Sequence, residues 1–153
     1  MKKIIIISGL VTITAVAYFL SAPLFISVEV QDELPVFTQT SSMGDTEEPV
    51  VNAGVFPIID TPSHPASGNI RVVSSGTQSI IRYEDYKGTN GPDLVVYLTK
   101  DLDAEEFVSL GRARGNEGNI NYEVPADIDI SDHNYVMTWC RAFGVLFDYA
   151  EIR

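Results

Sequence analysis

The chain has 153 residues, with 10 basic against 21 acidic side chains, a net charge of −11 and a single cysteine, Cys140. A negative field of this size repels nucleic acid and favours solubility, so no nucleic-acid partner is expected. One cysteine excludes an intramolecular disulfide. An odd thiol in an exported chain points to a reactive group, an intermolecular bridge or a ligand, against the ordinary alternative of a small buried hydrophobe.

The export expectation rests on the N-terminus. Lys2 and Lys3 precede an uncharged stretch, Ile4 to Val28, and no further Lys or Arg occurs before Arg71. As a helix this stretch would measure about 37 Å, longer than the roughly 30 Å hydrocarbon core of a bilayer. Residues 1–28 therefore read as an uncleaved transmembrane signal-anchor. The membrane is then the partner of residues 4–28, and the rest lies outside the cytoplasm, at a cell surface or in a periplasm-like compartment. Secretion after signal cleavage is the alternative. It is the weaker one because Ala15-Val16-Ala17 lies mid-stretch and Pro23 follows Ser21-Ala22.

Residues 29–52 carry few large apolar side chains and no period, and read as a flexible acidic stalk. Residues 53–153 are enough for one modest core. Strand candidates follow in order: Gly54–Ile59, Ile70–Val73, Ser79–Tyr83, Leu94–Leu98, Phe107–Leu110, Asn119–Val124, Tyr135–Cys140 and Val145–Tyr149. Asn119–Val124 alternates, with Ile120, Tyr122 and Val124 on one face. Leu94–Leu98 and Tyr135–Cys140 are apolar on both faces, as strands covered on both sides would be. Gly, Pro and Asn clusters punctuate these runs, and Gly91-Pro92 should form a tight turn opening Leu94–Leu98. Only Leu102–Glu106 invites a helical turn, and Gly111–Gly118 reads as a hairpin turn rather than an anion loop. About eight short strands at this spacing predict an all-β fold, an antiparallel β-sandwich or barrel, behind one N-terminal transmembrane helix.

The chemical inventory is short. A hydrolase would need a histidine beside its nucleophile, and only His64 and His133 exist, with no nucleophile elbow. A classical enzyme is therefore not expected. Asp127, Asp129 and Asp132 have the carboxylate spacing of a calcium loop, without its glycine and terminal glutamate, so they are weak metal candidates beside a plain surface turn. His64, His133, Cys140 and Met137 formally meet the ligand count of a blue-copper site. The order is wrong, because no histidine follows Cys140. Covalent c-type haem lacks its Cys-x-x-Cys-His motif, which leaves non-covalent haem ligation open.

Several ordered blocks carry a resemblance. They are Gly91-Pro92-Asp93-Leu94 with Tyr97-Leu98, then Leu110-Gly111 with Arg114-Gly115-Asn116 and Gly118-Asn119, and then Asn121-Tyr122-Glu123-Val124-Pro125. Last comes Val136-x-x-Trp139-Cys140-x-x-Phe143-x-Val145-x-Phe147-x-x-Ala150. Upstream, Gly54-x-Phe56, His64-x-x-x-Gly68 and Arg82-x-Glu84 fit the same pattern. Over residues 53–152 the chain resembles the electron-transfer DM-thirteen domain, an extracellular β-rich module with one near-invariant cysteine. The resemblance implies a redox role for Cys140, makes His64 and Cys140 the candidate cofactor-binding pair, and allows haem or copper as the cofactor.

The expected function is thus a membrane-anchored, extracytoplasmic electron-transfer module acting through Cys140, with an unidentified redox partner or cell-surface protein. The alternative is a non-catalytic cell-surface binding module for a matrix polymer, a partner protein or calcium. Cys140 lies in phase with Val136 and Thr138, so the layer this face meets decides between an inert and a usable thiol.

Overall fold

The computed structural model describes residues 9, 11–15, 18, 27–35, 38–39, 46–47, 51–75 and 78–153. Most of the expected anchor, residues 4–28, lies outside the described residues. Within it Gly9, Val11 to Ala15 and Tyr18 are helical and exposed. Among the described residues no helix is long and apolar enough to cross a membrane.

Two five-stranded sheets face each other. The first has the order β1 (Glu29–Gln31), β10 (Glu117–Val124), β7 (Gln78–Lys87), β6 (Ser67–Ser75), β4 (Val51–Pro57). The second runs β5 (Ile59–Asp60), β12 (Val145–Glu151), β11 (Tyr135–Cys140), β8 (Leu94–Thr99), β9 (Phe107–Arg112). Within these sheets neighbours are antiparallel except β1, which runs parallel to β10. A small ladder pairs β2 (Thr38–Gln39) with β3 (Thr46–Glu47). The eight expected strands are all present, and the fold is the sandwich of the two alternatives.

The alternation read in the sequence sets the core. Ile120, Tyr122 and Val124 pack with Ile70, Val72 and Ile81 from the same sheet against Val96, Leu98 and Val136 of the other. Each such fully buried aliphatic side chain contributes about 1.5–3 kcal/mol. Strand β8 is buried along its whole length. Its outer face is covered because Val95, Tyr97 and Met137 pack under Leu102, Ala104 and Trp139. The turn at Pro92 and Asp93 delivers the chain into β8 as expected.

Two expectations are corrected. Leu102–Glu106 forms no helical turn. The Asp101 carboxylate accepts the N–H groups of Asp103, Glu105 and Glu106, and Ala104 sits at φ 55, so the segment bends over β8 instead. Gly111–Gly118 is not a hairpin, because β9 belongs to one sheet and β10 to the other. The segment crosses between sheets, which its glycines permit.

In the stretch expected as a stalk, residues 29–33 dock on the first sheet. Arg82 donates to the carbonyls of Asp32 and Glu33 and to Asn121 Oδ1, and Arg114 pairs with the Asp32 carboxylate at 2.6 Å. Gly118, at φ +105, lies where a Cβ would run into the Val30 carbonyl, so only glycine lets β1 approach this closely.

Candidate functional site

Cys140 is the last residue of β11, paired with Leu94 on one side and Val145 on the other. Its face points into the sandwich with Val136 and Thr138, and the residue has no exposed surface. The thiol packs in a small cluster with Leu94 and Phe147, and Ala113 rests against it. Gly91 completes the cover, since a Cβ there would stand 3.0 Å from both Leu94 Cδ2 and Phe147 Cζ. Phe147 owes its place to a β-bulge. Thr138 pairs with Asp148 and Trp139 with Leu146, so Phe147 is the extra residue and turns inward.

His64 reaches this end of the fold through Phe147. The rings stack with centroids 3.8 Å apart, and Thr61 Oγ1 joins the arrangement, 3.0 Å from His64 Nδ1 and donating to the Phe147 carbonyl. The structure thus brings His64 and Cys140 onto one aromatic ring. Arg141, the next residue after Cys140, points away to Asp93, which also accepts from Arg112. The hydrogen bonds and charge of Arg141, followed by the charge of Arg112, hold the Asp93 carboxyl below its ordinary range despite some desolvation. Arg112 and Arg114 also line a cleft of about 140 Å³ whose wall includes Leu94 and Ala113, two residues of the thiol's cover.

The remaining sequence candidates lie elsewhere. Asp129 caps the short 3-10 turn Ile130–Asp132, accepting from Ser131 N, and its carboxyl is held below the usual range by the Ser131 hydroxyl first and then by that backbone N–H. Asp127, Asp129 and Asp132 precede β11, about 16 Å or more of extended chain from Cys140. Asp127, Asp129 and His133 instead border an open cleft of about 610 Å³ with Phe56, Ile128 and Ile130. The four formal copper ligands do not converge. His133 closes the 3-10 turn ahead of β11, bonded through Nδ1 to the Asp129 carbonyl, and Met137 faces the outer layer, away from Cys140. Among the described residues no three His, Cys, Asp or Glu side chains form a metal-holding group. The 140 Å³ cleft is below the roughly 300 Å³ at which cofactor pockets begin, so a haem does not fit against the thiol in this arrangement.

The family description electron transfer DM13 matches residues 58–152, well over half of the sequence. The chain belongs to the electron transfer DM13 family. Comparisons with curated proteins and with solved structures find no match. Within this DM13 domain the positions that carried the resemblance cluster in space. Gly91, Leu94, Cys140 and Phe147 build the thiol's surroundings, and Gly118 and Asn119 hold the docked β1 strand.

One buried group escaped the sequence reading. Asp148 is only 1 % exposed and lies inside the sandwich, where Tyr86 Oη from the opposite sheet donates to its Oδ2 at 2.7 Å. Burial pushes its carboxyl up to about 6, against the pull of the Tyr86 and Thr138 hydroxyls toward the charged form. The available signal was a lone carboxylate within the apolar run Val145–Ala150.

Proposed function

We propose that this DM13 domain is an extracytoplasmic, membrane-anchored redox module whose reacting group is the bare Cys140 thiol, without a resident haem or metal. The observation that carries the reading is the position of Cys140: buried, at the very end of its strand, under a cover of four apolar residues. The thiol lies behind Leu94, Phe147, Ala113 and Gly91, and the four-residue tip Arg141–Gly144 that follows it is exposed. Opening the thiol requires the end of β11 to fray beside the exposed turn that follows it, a local opening that leaves the main core intact. Arg112, Arg114 and Arg141 lie around that end, each paired with a carboxylate, Asp93 or Asp32.

A lone thiol needs a partner to complete two-electron chemistry. Attack of the Cys140 thiolate on a partner disulfide forms one mixed disulfide and releases one partner thiolate, with no net electron change in the pair. Such a partner is a cell-surface or secreted redox protein, and the uncharged segment 4–28 keeps the domain beside the membrane. The test is thiol labelling and a thiol–disulfide titration of the full chain under native conditions. Slow labelling that saturates at one thiol, with a defined mixed-disulfide potential, supports the reading. Labelling seen only after global unfolding refutes it and leaves Cys140 as packing.

A second reading rests on a different feature. The cleft of about 610 Å³ between β4, β6 and the Ala126–Ser131 turn presents apolar Phe56, Ile128 and Ile130 beside Asp127 and Asp129. That combination suits a cell-surface binding module. Retention of a matrix polymer or calcium by the Cys140→Ser variant as well as by the wild type, with no thiol titration in either, would favour it.

A further inference from the structure

The sandwich interior holds a polar chain that the thiol chemistry does not use. Tyr86 donates to Asp148, and Tyr83 Oη lies 3.3 Å from Thr138 Oγ1. The Tyr83 ring meets Tyr86 edge-on at 4.9 Å and Tyr122 at 5.5 Å. Tyr122 Oη accepts the backbone N–H of Arg114, whose side chain is half exposed. Three touching phenols thus run from the buried Asp148 toward the surface.

This arrangement is costly. The groups acting on Asp148 are Tyr86 and Tyr83 of β7, Tyr122 of β10 and the Thr138 hydroxyl of β11, and none is a cation. A buried carboxylate without a cation is less stable than a well-packed apolar pair of similar volume. Backbone irregularities on both sheets present the pair. The β12 bulge at Phe147 precedes Asp148. In β7, Tyr83 pairs with Ile120 and Tyr86 with Gly118, an extra residue that places Asp85 at φ 49 and turns Tyr86 inward. Bulges of this kind re-aim side chains at functional positions.

We propose that Tyr86 is a one-electron redox site, that Asp148 is its internal proton acceptor, and that Tyr83 and Tyr122 continue the electron path toward Arg114. The proposal rests on the electron-transfer character of the domain but not on the reactivity of Cys140. In the forward step a high-potential one-electron oxidant takes one electron from Tyr86. The phenolic O–H bond breaks and its proton moves along the 2.7 Å hydrogen bond to Asp148 Oδ2. A neutral tyrosyl radical and a protonated carboxyl result, and the pair's charge rises from −1 to 0, matching the electron removed. A one-electron reductant, such as a thiolate, reverses both transfers. Burial, and then the Asp148 charge, hold the Tyr86 and Tyr83 hydroxyls well above their ordinary range, so both phenols start protonated. Once Asp148 is itself protonated, the proton has no acceptor and the step closes.

The test uses the full chain with photogenerated tris(bipyridine)ruthenium(III) as oxidant and freeze-quench electron paramagnetic resonance as readout. A tyrosyl signal is expected, with an exchangeable proton coupling that changes in heavy water and a yield that falls as the pH drops through about 6. Tyr86→Phe should remove the signal and Tyr149→Phe should leave it. Asp148→Asn, which offers the hydroxyl no proton acceptor, should lower the radical yield at least tenfold at neutral pH, to the level of the wild type at low pH. Persistence of the same signal in folded Tyr86→Phe, a tryptophan radical alone, or a yield independent of pH would overturn the proposal. Should Tyr86→Phe fail to fold, the wild-type pH and heavy-water readouts decide. Both measurements on the wild type separate the two ideas: a tyrosyl radical beside an inert thiol defeats only the thiol reading, and a titrating thiol without a radical defeats only this one.

Discussion

The Asp148→Asn variant offers a quantitative check on the interior. Its carboxyl titrates near 6 when folded, against 3.8 in an ordinary setting. The folded chain therefore holds this proton more tightly than the unfolded chain, folding takes up protons in that window, and stability falls as pH rises through it. At 1.36 kcal/mol per unit the difference amounts to about 3 kcal/mol, of which about 2 kcal/mol falls between pH 4.5 and 7.5. Asparagine keeps an acceptor for the Tyr86 hydroxyl but cannot ionise, so the variant lacks this slope. Asp32 and Glu84 work in the opposite sense. Glu84 is held low by Arg71 and then Arg82, and Asp32 by Arg114 and the Asn121 N–H against its own desolvation. The difference between wild type and variant cancels them. Urea unfolding of the full chain in mild detergent at several pH values measures it. Wild type should lose about 2 kcal/mol relative to the variant from pH 4.5 to 7.5. A flat difference, or one that grows in favour of wild type, would refute the placement of an ionised, cation-free carboxylate in the core.

Cys140→Ser should fold but lose about 1–3 kcal/mol in urea unfolding, because its hydroxyl enters an apolar cluster without a partner, and it should abolish the thiol titration. Phe147→Ala removes a ring from the thiol's cover, so native-state labelling of Cys140 should accelerate at least tenfold, with about 3–5 kcal/mol of stability lost; unchanged labelling would show that Phe147 does not gate the thiol. Gly118→Ala should cost about 2–3 kcal/mol and make residues 27–35 protease-sensitive, since the new Cβ collides with the Val30 carbonyl. Arg82→Met should cost about 3 kcal/mol and release the same segment, because it strips the Asp32 and Glu33 carbonyls and Asn121 of their shared donor.

Much of this molecule is local, and what is local was legible. Period-two alternation at Asn119–Val124, two-sided apolar character at Leu94–Leu98 and the turn residues between strands depend only on neighbours in sequence, so they determined the eight strands and their inward faces. The phase of Cys140 with Val136 and Thr138 followed from the same period, and the ordered blocks around it determined the family. Other features are set by pairing between distant strands. Whether Gly111–Gly118 turned back or crossed depended on which sheet each flanking strand joined. The docking of residues 29–33 needed Arg82, Arg114 and Asn121, about 50 to 90 positions away. The meeting of Tyr86 with Asp148, 62 positions apart, required one bulge in each sheet, and an inserted residue changes which side chains face inward beyond it. A period of two carries no mark of where it will slip, because the slip is decided by the strand alongside. The buried polar chain therefore exists only once the two sheets are paired and closed upon each other.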